Sequence, residues 1–405
     1  MKKMVATMMA MVLVLSFTGC KEPDKLVSGK LVKRPEVIDI SEQNVVVTDF
    51  AVRLLQSTFT GEENVLLSPV SVLSGLSLIA NGADGESLAQ IEDTVGMSAE
   101  EMNEYIYSYN SHLSEISSKN CEASLINSLW INKDKDVVVS DEFLYANEMY
   151  GNASIYSVPF GEKSASYMEQ WISKSTQGIV KNLLYNVPKD ATMCSISSFV
   201  FSGVWEDGFA SIGNSGFESV SEDKNSVVSD LYCIEDSYIE DNNATGVVKF
   251  FKQNKYAFAV VLPNENIDIH TYIEGLTSGS LNKLIESRKG VRVSIRMPEI
   301  SFSYELNMNH ILTEMGMKDI WENQAADFSR FGYGKDGENI QVDQLVYKTG
   351  INLDGDGINT ELEAEMLVKS TEASKYYLEI NRPFVVFLMD CEKNVPLLLG
   401  VVNSI

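Results

Sequence analysis

The sequence has few of the residues that build metal or redox sites. Its three histidines, His112, His270 and His310, are isolated from one another. The four cysteines that follow Cys20 lack the paired spacing of zinc sites and redox motifs. We therefore expect no metal site, and we interpret as buried thiols the cysteines Cys121, Cys194, Cys233 and Cys391.

Basic residues are also scarce. In 405 residues, 57 Asp and Glu stand against 32 Lys and Arg, for a formal net charge of −25. The acidic residues are spread along the chain, which indicates a solvated surface rather than an acidic tail. A surface of this sign argues against nucleic acid as a partner.

The motifs of common enzyme classes are absent as well. The sequence contains no G-x-S-x-G elbow, no paired metal-ligand spacing and no glycine-rich loop of the kind that cradles phosphate. This pattern disfavours an enzyme, and we expect no cofactor.

The first 19 residues are typical of a secretory signal. Lys2 and Lys3 precede the largely apolar residues 4–17, and small residues follow at a cleavage point. Residues 15–20, L-S-F-T-G-C, resemble a lipobox, after which Cys20 would be acylated. A plain secretory signal is the alternative. No later apolar run reaches membrane-spanning length.

We divide the chain into a signal peptide (1–19), a lipidated tether (20–42) and one domain (43–405). The tether is assigned from its polar, charged composition with two prolines. We expect an exported protein, either a membrane-anchored lipoprotein at the cell surface or in the periplasm, or a secreted one.

Helical and strand patterns are mixed within the domain. Ser68 and Pro69 form a helix start, and apolar residues at helical spacing follow as far as residues 81–82. Strand-like segments occupy residues 125–132, 194–201, 256–262, 291–295, 383–389 and 395–402. Because the regular βαβ rhythm of a parallel sheet is missing, the mixture indicates an α+β fold.

Several segments, in their order and spacing, resemble the serpin family of serine protease inhibitors. They include N-V-L-L-S-P-V-S (64–71), Q-W-I-S-K-S-T-Q-G-I-V (170–180), R-M-P-E-I-S-F (296–302), N-R-P-F (381–384) and P-L-L-L-G-V-V-N (396–403). The likeness covers about residues 45–405. It implies a single domain with three β-sheets, about nine helices and an exposed reactive loop.

The resemblance also implies a conformational mechanism. In inhibitory serpins a protease cleaves the reactive loop, the loop inserts as an extra strand into the large sheet, and the acyl-enzyme is trapped. No catalytic residues are required. The expected partner is a target protease of the serine or the cysteine class. We expect the chain itself to be a monomer that contacts a membrane only through its N-terminal lipid.

Aligned on Gly357 and on N-R-P-F, the reactive loop spans about residues 357–380. The family has small residues after the hinge glycine, whereas this chain has I-N-T-E-L-E-A-E-M-L-V-K. Bulky or charged residues should slow insertion into a packed sheet. Alternate residues nevertheless form an apolar face, and we assign the hinge to Gly357, Ile358, Thr360, Leu362 and Ala364.

Two interpretations of this hinge remain open. A strand with such alternation can insert with its carboxylates in water, and only Leu367 breaks the pattern. Alternatively, T-E-L-E-A-E-M-L is a good helix former and stays in the loop.

The position of the scissile bond is also open. Counting along the loop points to residues 371–373, whereas a trypsin-like protease would cleave after Lys369. The scissile region therefore comprises Lys369, Ser370, Thr371, Glu372 and Ala373.

Four residues are assigned to the region that lets the large sheet open: Ser68, Ser71, Ser197 and Tyr347. Ser68 and Ser71 match the family. Ser197 stands where the family has asparagine, and Tyr347 where it has histidine. Because the two missing groups normally share one buried hydrogen-bond network, we interpret their joint change as a compensated swap.

One rival motif overlaps the hinge. Residues 352–363 have oxygen ligands at loop positions 1, 3 and 5, glycine at 6 and glutamate at 12, which approximates a calcium loop. Position 8, normally apolar, is Asn359, and no convincing helices flank the segment. Calcium binding is therefore the minor alternative here.

Two functions follow from the sequence. The first is a protease inhibitor that acts by loop insertion. The alternative is a non-inhibitory serpin-fold binding protein, which the glutamate-rich hinge and the departures at Ser197 and Tyr347 favour.

Overall fold

The computed structural model describes residues 23–29, 34–176, 178–179, 187–221, 225–322, 324–334, 340–342, 345–359 and 374–405. Within these ranges the chain forms nine α-helices and nineteen strands. The helices are α1 (Ser41–Thr58), α2 (Pro69–Ala80), α3 (Gly85–Val95), α4 (Ala99–Ile116), α5 (Asp141–Met149), α6 (Glu162–Ser175), α7 (Ile269–Glu274), α8 (Ser278–Glu286) and α9 (Asn309–Glu314).

The strands are mostly antiparallel. They are β1 (Asp24–Leu26), β2 (Val65–Leu67), β3 (Cys121–Asn132), β4 (Val138–Val139), β5 (Ser154–Val158), β6 (Met193–Val204), β7 (Ala210–Phe217), β8 (Ser226–Glu235), β9 (Tyr238–Glu240), β10 (Ala244–Phe250), β11 (Tyr256–Pro263), β12 (Val293–Pro298), β13 (Ile300–Asn307), β14 (Gly332–Tyr333), β15 (Val346–Leu353), β16 (Gly357–Ile358), β17 (Tyr376–Glu379), β18 (Phe384–Asp390) and β19 (Val395–Val402).

Three sheets carry the fold. The large sheet has the order β1-β5-β3-β6-β16-β15-β13, the second β2-β19-β18-β11-β10-β9, and the third β17-β12-β8-β7. A two-stranded pair, β14 with β4, is additional within the described residues. The α+β fold with three sheets and about nine helices that the sequence predicts is confirmed.

The pairing of β3 with β6 sets the length of the large sheet. It runs from Cys121 opposite Gly203 to Ile131 opposite Met193, so both strands extend beyond the segments predicted from apolar content. At about 3.3 Å per residue, the ten residues between these levels span about 33 Å. We call the end at Cys121 and Gly203 the upper end, and the end at Ile131 and Met193 the lower end.

Two apolar clusters hold the layers together. The main core fills the space between the large and second sheets and includes all of the apolar face of α2, whose twelve residues are buried. The other face of the large sheet is covered by α6 over a smaller cluster, which includes Trp130, Val158, Met168, Ile172 and Ile196. The large sheet is therefore buried on both faces near its lower end.

The N-terminal segment is attached to this domain. Asp24 lies opposite Ser157 and Leu26 opposite Ile155, so β1 forms the edge of the large sheet. Part of the segment predicted to be a tether, residues 20–42, is thus a strand of the sheet. Cys20 and the predicted signal peptide lie outside the described residues. Among the described helices, none is long and apolar enough to cross a membrane.

Candidate functional site at the hinge and the sheet-opening region

The start of the predicted reactive loop lies inside the large sheet. β16 lies between β6 and β15 and pairs with both: Gly357 lies opposite Val204, and Ile358 lies opposite Gly203 and Leu353. Ile358 is fully buried in the main core. The remaining hinge residues, Thr360, Leu362 and Ala364, and the scissile region 369–373 lie outside the described residues.

Gly203, opposite Ile358, makes room for two aromatic rings. A Cβ built on Gly203 would lie 2.6 Å from the ring of Phe201 and 2.8 Å from the ring of Phe251. No larger residue fits at this position without displacing an aromatic ring.

A turn capped by Asp354 leads from β15 into β16. Asp354 Oδ1 accepts hydrogen bonds from the N–H groups of Asp356 at 2.9 Å and Gly357 at 3.1 Å. Trp205 Nε1 donates to the carbonyl oxygen of Asp354 at 3.1 Å. Asp354, at position 3 of the calcium-loop motif, therefore has one carboxylate oxygen committed to backbone donors. Across the described residues, no group of three or more His, Cys, Asp and Glu side chains could hold a metal.

Asn359 ends the strand. Its φ of +48° lies in the left-handed region, where the chain leaves the extended conformation. Its Nδ2 donates to the carbonyl oxygen of Phe201 at 3.2 Å, and its Oδ1 accepts from the N–H of Asn352 at 3.1 Å. One side chain thus bonds to β6 on one side and to β15 on the other, at the point where the next loop residue would pair.

Lys249 lies behind the hinge, where the three sheets meet. Its side chain is 3% exposed, and Nζ lies 2.6 Å from Glu235 Oε1. The ammonium group also lies 4.5 Å from the centre of the Phe209 ring, while Trp205 stacks on Phe251. The ion pair of Lys249 with Glu235 thus joins β10 to β8 close to Trp205, which bonds to the Asp354 turn.

In the sheet-opening region, Tyr347 connects β15 to the start of α2. Ser68 is the N-cap of α2, where its Oγ accepts from Ser71 N at 3.3 Å. The N–H of Ser68 donates to the hydroxyl of Tyr347 at 2.6 Å. Burial raises the pKa of Tyr347 well above its usual range. The phenol of Tyr347 is therefore neutral and hydrogen-bonded.

The side-chain hydroxyls of the two other residues assigned here are buried. Within the described part of the chain, Ser71 Oγ and Ser197 Oγ have no hydrogen-bond partner. A Cβ built on Gly75 of α2 would lie 3.3 Å from Ser197 Oγ, so α2 packs closely on β6 at this point.

Asn127 supplies an amide that the sequence analysis did not single out. Its Nδ2 donates to Ser74 Oγ at 2.9 Å and to the carbonyl oxygen of Gly151 at 2.7 Å. Asn127 is 2% exposed and lies on β3, one strand away from Ser197. An amide residue inside the strand-like run S-L-I-N-S-L-W is the signal in the sequence that indicates it.

The structure also describes the cysteines and one of the histidines. The four cysteines after Cys20 are free, Cys121 and Cys233 buried and the others half-buried. Burial raises the pKa of Cys121 to about 11 and that of Cys194 to about 12. His112 Nε2 lies 2.8 Å from Oδ2 of the buried Asp390. These two residues are 278 positions apart, so spacing along the chain does not reveal their contact.

Comparison with known proteins connects this geometry to a family. The model of the family described as serpin (serine protease inhibitor) matches residues 46–405. Plasma serine protease inhibitor of Homo sapiens is 24% identical over 353 residues, which cover 84% of this chain and 84% of that protein. Corticosteroid-binding globulin of Homo sapiens is 22% identical over 354 residues, covering 84% and 85%.

A solved structure agrees with the fold. The crystal structure of tengpin, a thermophilic serpin, in the native state superimposes with a TM-score of 0.85 at 29% identity and covers 94% of this chain and 100% of that one. Most of the relatives found are protease inhibitors, and the family consists mainly of inhibitors rather than catalysts. Corticosteroid-binding globulin shows that some members have another role. With its matched residues spanning nearly the whole domain, the chain belongs to the serpin family.

Proposed function

We propose that this chain is a protease inhibitor that traps a serine or cysteine protease after cleavage and insertion of its reactive loop. The observation that carries the proposal is β16, in which Gly357 and Ile358 already pair with both β6 and β15. Insertion then extends a strand that exists in the uncleaved chain. The chain contributes no catalytic residue, needs no cofactor and acts as a monomer.

Continuing the register of β16 accounts for the length of the loop. Gly357 lies opposite Val204 and Ile358 opposite Gly203, so each further loop residue pairs one position lower on β6. Residue 368 would then lie opposite Met193, the first residue of β6 at the lower end of the sheet. A cleavage within residues 369–373 frees a segment that fills the whole strand position.

The same register accounts for the alternation of the loop. Ile358 faces the main core and is fully buried, so Thr360, Leu362 and Ala364 would face the core as well. Leu367, the exception on the charged face, would lie opposite Cys194, which packs against the apolar cluster under α6. Its apolar side chain therefore suits the inserted strand.

A protease panel tests the proposal. Serine and cysteine proteases are incubated with the chain and separated on a denaturing gel, where a complex that survives boiling supports trapping. Clean cleavage within residues 369–373 with full protease activity remaining would overturn it.

Two variants of the loop provide matched controls. Ala364→Arg places a charge on the face that enters the core, so we expect cleavage without trapping. Glu361→Arg places the same charge on the opposite face and should still trap the protease.

We further propose that the protein is exported and anchored at the cell surface or in the periplasm through an acylated Cys20. The lipobox-like residues 15–20 support this. Metabolic labelling with a palmitate analogue should mark the wild-type chain and leave Cys20→Ser unmarked. Release of unlabelled wild-type chain into the medium would identify the alternative, a secreted form.

A non-inhibitory binding protein is the second candidate. A cavity of about 950 Å³ lies beside α8, lined by apolar side chains such as Phe250 and Ile285 and by charged ones such as Asp236 and Arg288. Corticosteroid-binding globulin, a relative, is named for a small ligand. A ligand that raises the melting temperature of the wild-type chain but not of Arg288→Ala would support this function.

A further inference from the structure

The edge strand β1 fixes where the N-terminus leaves the domain. Asp24 lies opposite Ser157, and Ser157 lies level with Ile131 at the lower end of the large sheet. From Asp24 the strand runs towards the upper end, since Leu26 lies opposite Ile155. The residues before Asp24 therefore leave the sheet at the lower end, about 33 Å along the strands from Ile358.

The distance from this exit to the proposed lipid is short. Three residues lie between Cys20 and Asp24. The four steps along the chain from Cys20 to Asp24 reach at most about 14 Å when fully extended. A tether that ran freely to residue 42 would allow several times this distance. With β1 paired, the lipid holds the lower end of the sheet within about 14 Å of the bilayer.

We propose that β1 seats the anchored domain with the lower end of its large sheet against the membrane and the hinge facing away, and that β1 unpairs when a protease is trapped. This inference rests on the proposed function and on acylation of Cys20. The partner surface is the lipid bilayer that holds the anchor.

The attachment of β1 is weak enough to be reversible. The strand has three residues and only three opposed pairs. Its ion pair, Asp24 with Lys133 at 2.7 Å, is about half exposed on both sides. Leu26 lines a cavity of about 420 Å³ with Ile131 and Leu144, so its packing is incomplete. Between β1 and α1, the N–H of Ser28 donates to Glu148 Oε2 at 3.2 Å and the N–H of Ile38 to Ser108 Oγ at 3.1 Å. Burial in the main core begins at Ile40, which is 2% exposed.

Trapping of a protease requires that β1 leave the edge of the large sheet. In the continued register, the residues that carry the acylated protease arrive beside Met193, at the same lower end as Asp24. A protease domain of about 220 residues is about 40 Å across, which exceeds a gap of about 14 Å. Unpairing of residues 24–26 and of the chain up to residue 39 lengthens the tether to about 65 Å, enough to admit the protease.

Fluorescence quenching in vesicles tests the seating. The acylated chain is purified from membranes, labelled with a donor dye on Asp134→Cys or on Ser211→Cys, and placed in phosphatidylcholine vesicles with acceptor dye on a small fraction of the headgroups. Asp134 follows β3 at the lower end, whereas Ser211 lies near Phe209 at the upper end. The native cysteines are buried or half-buried, with raised pKa values, so they react slowly with the dye.

We expect strong quenching of the Asp134→Cys label and weak quenching of the Ser211→Cys label. Equal quenching of the two, or stronger quenching at Ser211→Cys, overturns the seating. A wild-type chain that carries no lipid overturns it too, because nothing then brings the lower end to the membrane.

A covalent lock on β1 tests the release. Asp24 and Ser157 lie directly opposite each other in an antiparallel pair, so Asp24→Cys with Ser157→Cys can form a disulfide. On vesicles, we expect the oxidised form to trap at least tenfold less protease than the same variant after reduction. In the unacylated form in solution, the oxidised and reduced forms should trap equally.

These outcomes separate the inference from the proposed function. Equal trapping by the oxidised and reduced forms on vesicles overturns the release step. A failure of the reduced form to trap any protease in solution overturns the proposed inhibition and with it the release step. The quenching experiment decides the seating in either case.

Discussion

The side-chain amide of Asn359 donates a hydrogen bond to the carbonyl oxygen of Phe201, 3.2 Å away. With the bond that its Oδ1 accepts from Asn352, this contact closes the gap between β6 and β15 immediately below Ile358. Further insertion requires Asn359 to leave its left-handed conformation and give up both bonds. We therefore regard Asn359 as the residue that stops the strand in the uncleaved chain.

Asn359→Val tests this role. A β-branched residue is strained at a φ of +48°, so we expect the uncleaved protein to lose about 1–3 kcal/mol of stability. In the proposed inserted form residue 359 would be extended, where valine is favoured. Calorimetry of both forms should show a lower melting temperature for the uncleaved variant only.

Asn359→Gly is the matched control. Glycine accepts a positive φ without strain, and it removes the same two side-chain bonds as valine does. If Asn359→Val loses stability only in the uncleaved form, and Asn359→Gly loses less, then the loss is caused by backbone strain at residue 359. Equal losses in both forms of Asn359→Val would contradict the role of Asn359 as a stop.

Leu367→Ala tests the register of the inserted strand. Opposite Cys194, the leucine would be buried under α6, and its truncation should cost the cleaved form about 2–3 kcal/mol. Glu361→Ala removes a side chain that would face outward higher on the strand and should cost much less. The measurement is the unfolding midpoint of the cleaved proteins in guanidinium chloride, and equal midpoints for the two variants would show a different register.

Tyr347→Phe removes the acceptor of the Ser68 N–H. Because that buried donor would be left unpaired, we expect a loss of about 1–3 kcal/mol in the uncleaved protein. Tyr304→Phe is a suitable control, since Tyr304 is a half-buried tyrosine on the neighbouring strand β13. A loss no larger for Tyr347→Phe than for Tyr304→Phe, in urea unfolding at pH 7, would show that the bond contributes nothing.

The buried tyrosines predict a loss of stability in alkali. Burial raises the pKa of Tyr105, Tyr109 and Tyr347 well above the usual value of 10. Above pH 10 the unfolded chain releases these protons and the folded chain keeps them, so the free energy of unfolding falls as pH rises. Each such tyrosine contributes about 1.4 kcal/mol per pH unit.

Urea unfolding between pH 9 and 11 measures this slope. Tyr347→Phe should reduce the slope of the free energy of unfolding against pH by the contribution of one tyrosine. Near pH 8 the buried tyrosines are protonated in both states and should add no pH dependence. A slope unchanged by the substitution would mean that Tyr347 ionises in the folded protein as readily as in the unfolded one.

The fold could be predicted because it leaves long local patterns. Continuous apolar strands and the apolar helical pattern after Ser68-Pro69 each span many residues, and each agrees with the burial that the structure describes. By contrast, β1 is a three-residue strand with no alternation long enough to detect. Its place depends on an edge offered by β5, more than a hundred residues later.

The contacts of the sheet-opening region were beyond prediction for a related reason. The sequence motifs indicate Tyr347 and Ser68 as candidate residues. The hydrogen bond between them spans 279 positions and depends on how β15 packs on α2. Likewise, nothing local indicates that Asn359 adopts a left-handed conformation, which is set by bonds to two separate strands. Such contacts follow from tertiary packing, whereas sequence patterns report which face of a segment is apolar.

The two-residue strand β16 has a kinetic consequence. Starting a new strand is the step of strand addition with the highest free-energy cost. The first contact orders a flexible segment, and its conformational entropy is lost before further contacts stabilise it. In this chain that nucleus forms before any protease arrives, with Ile358 already in the core. In the proposed mechanism the cleaved loop then has only to elongate, residue by residue, so insertion needs no search for the entry point.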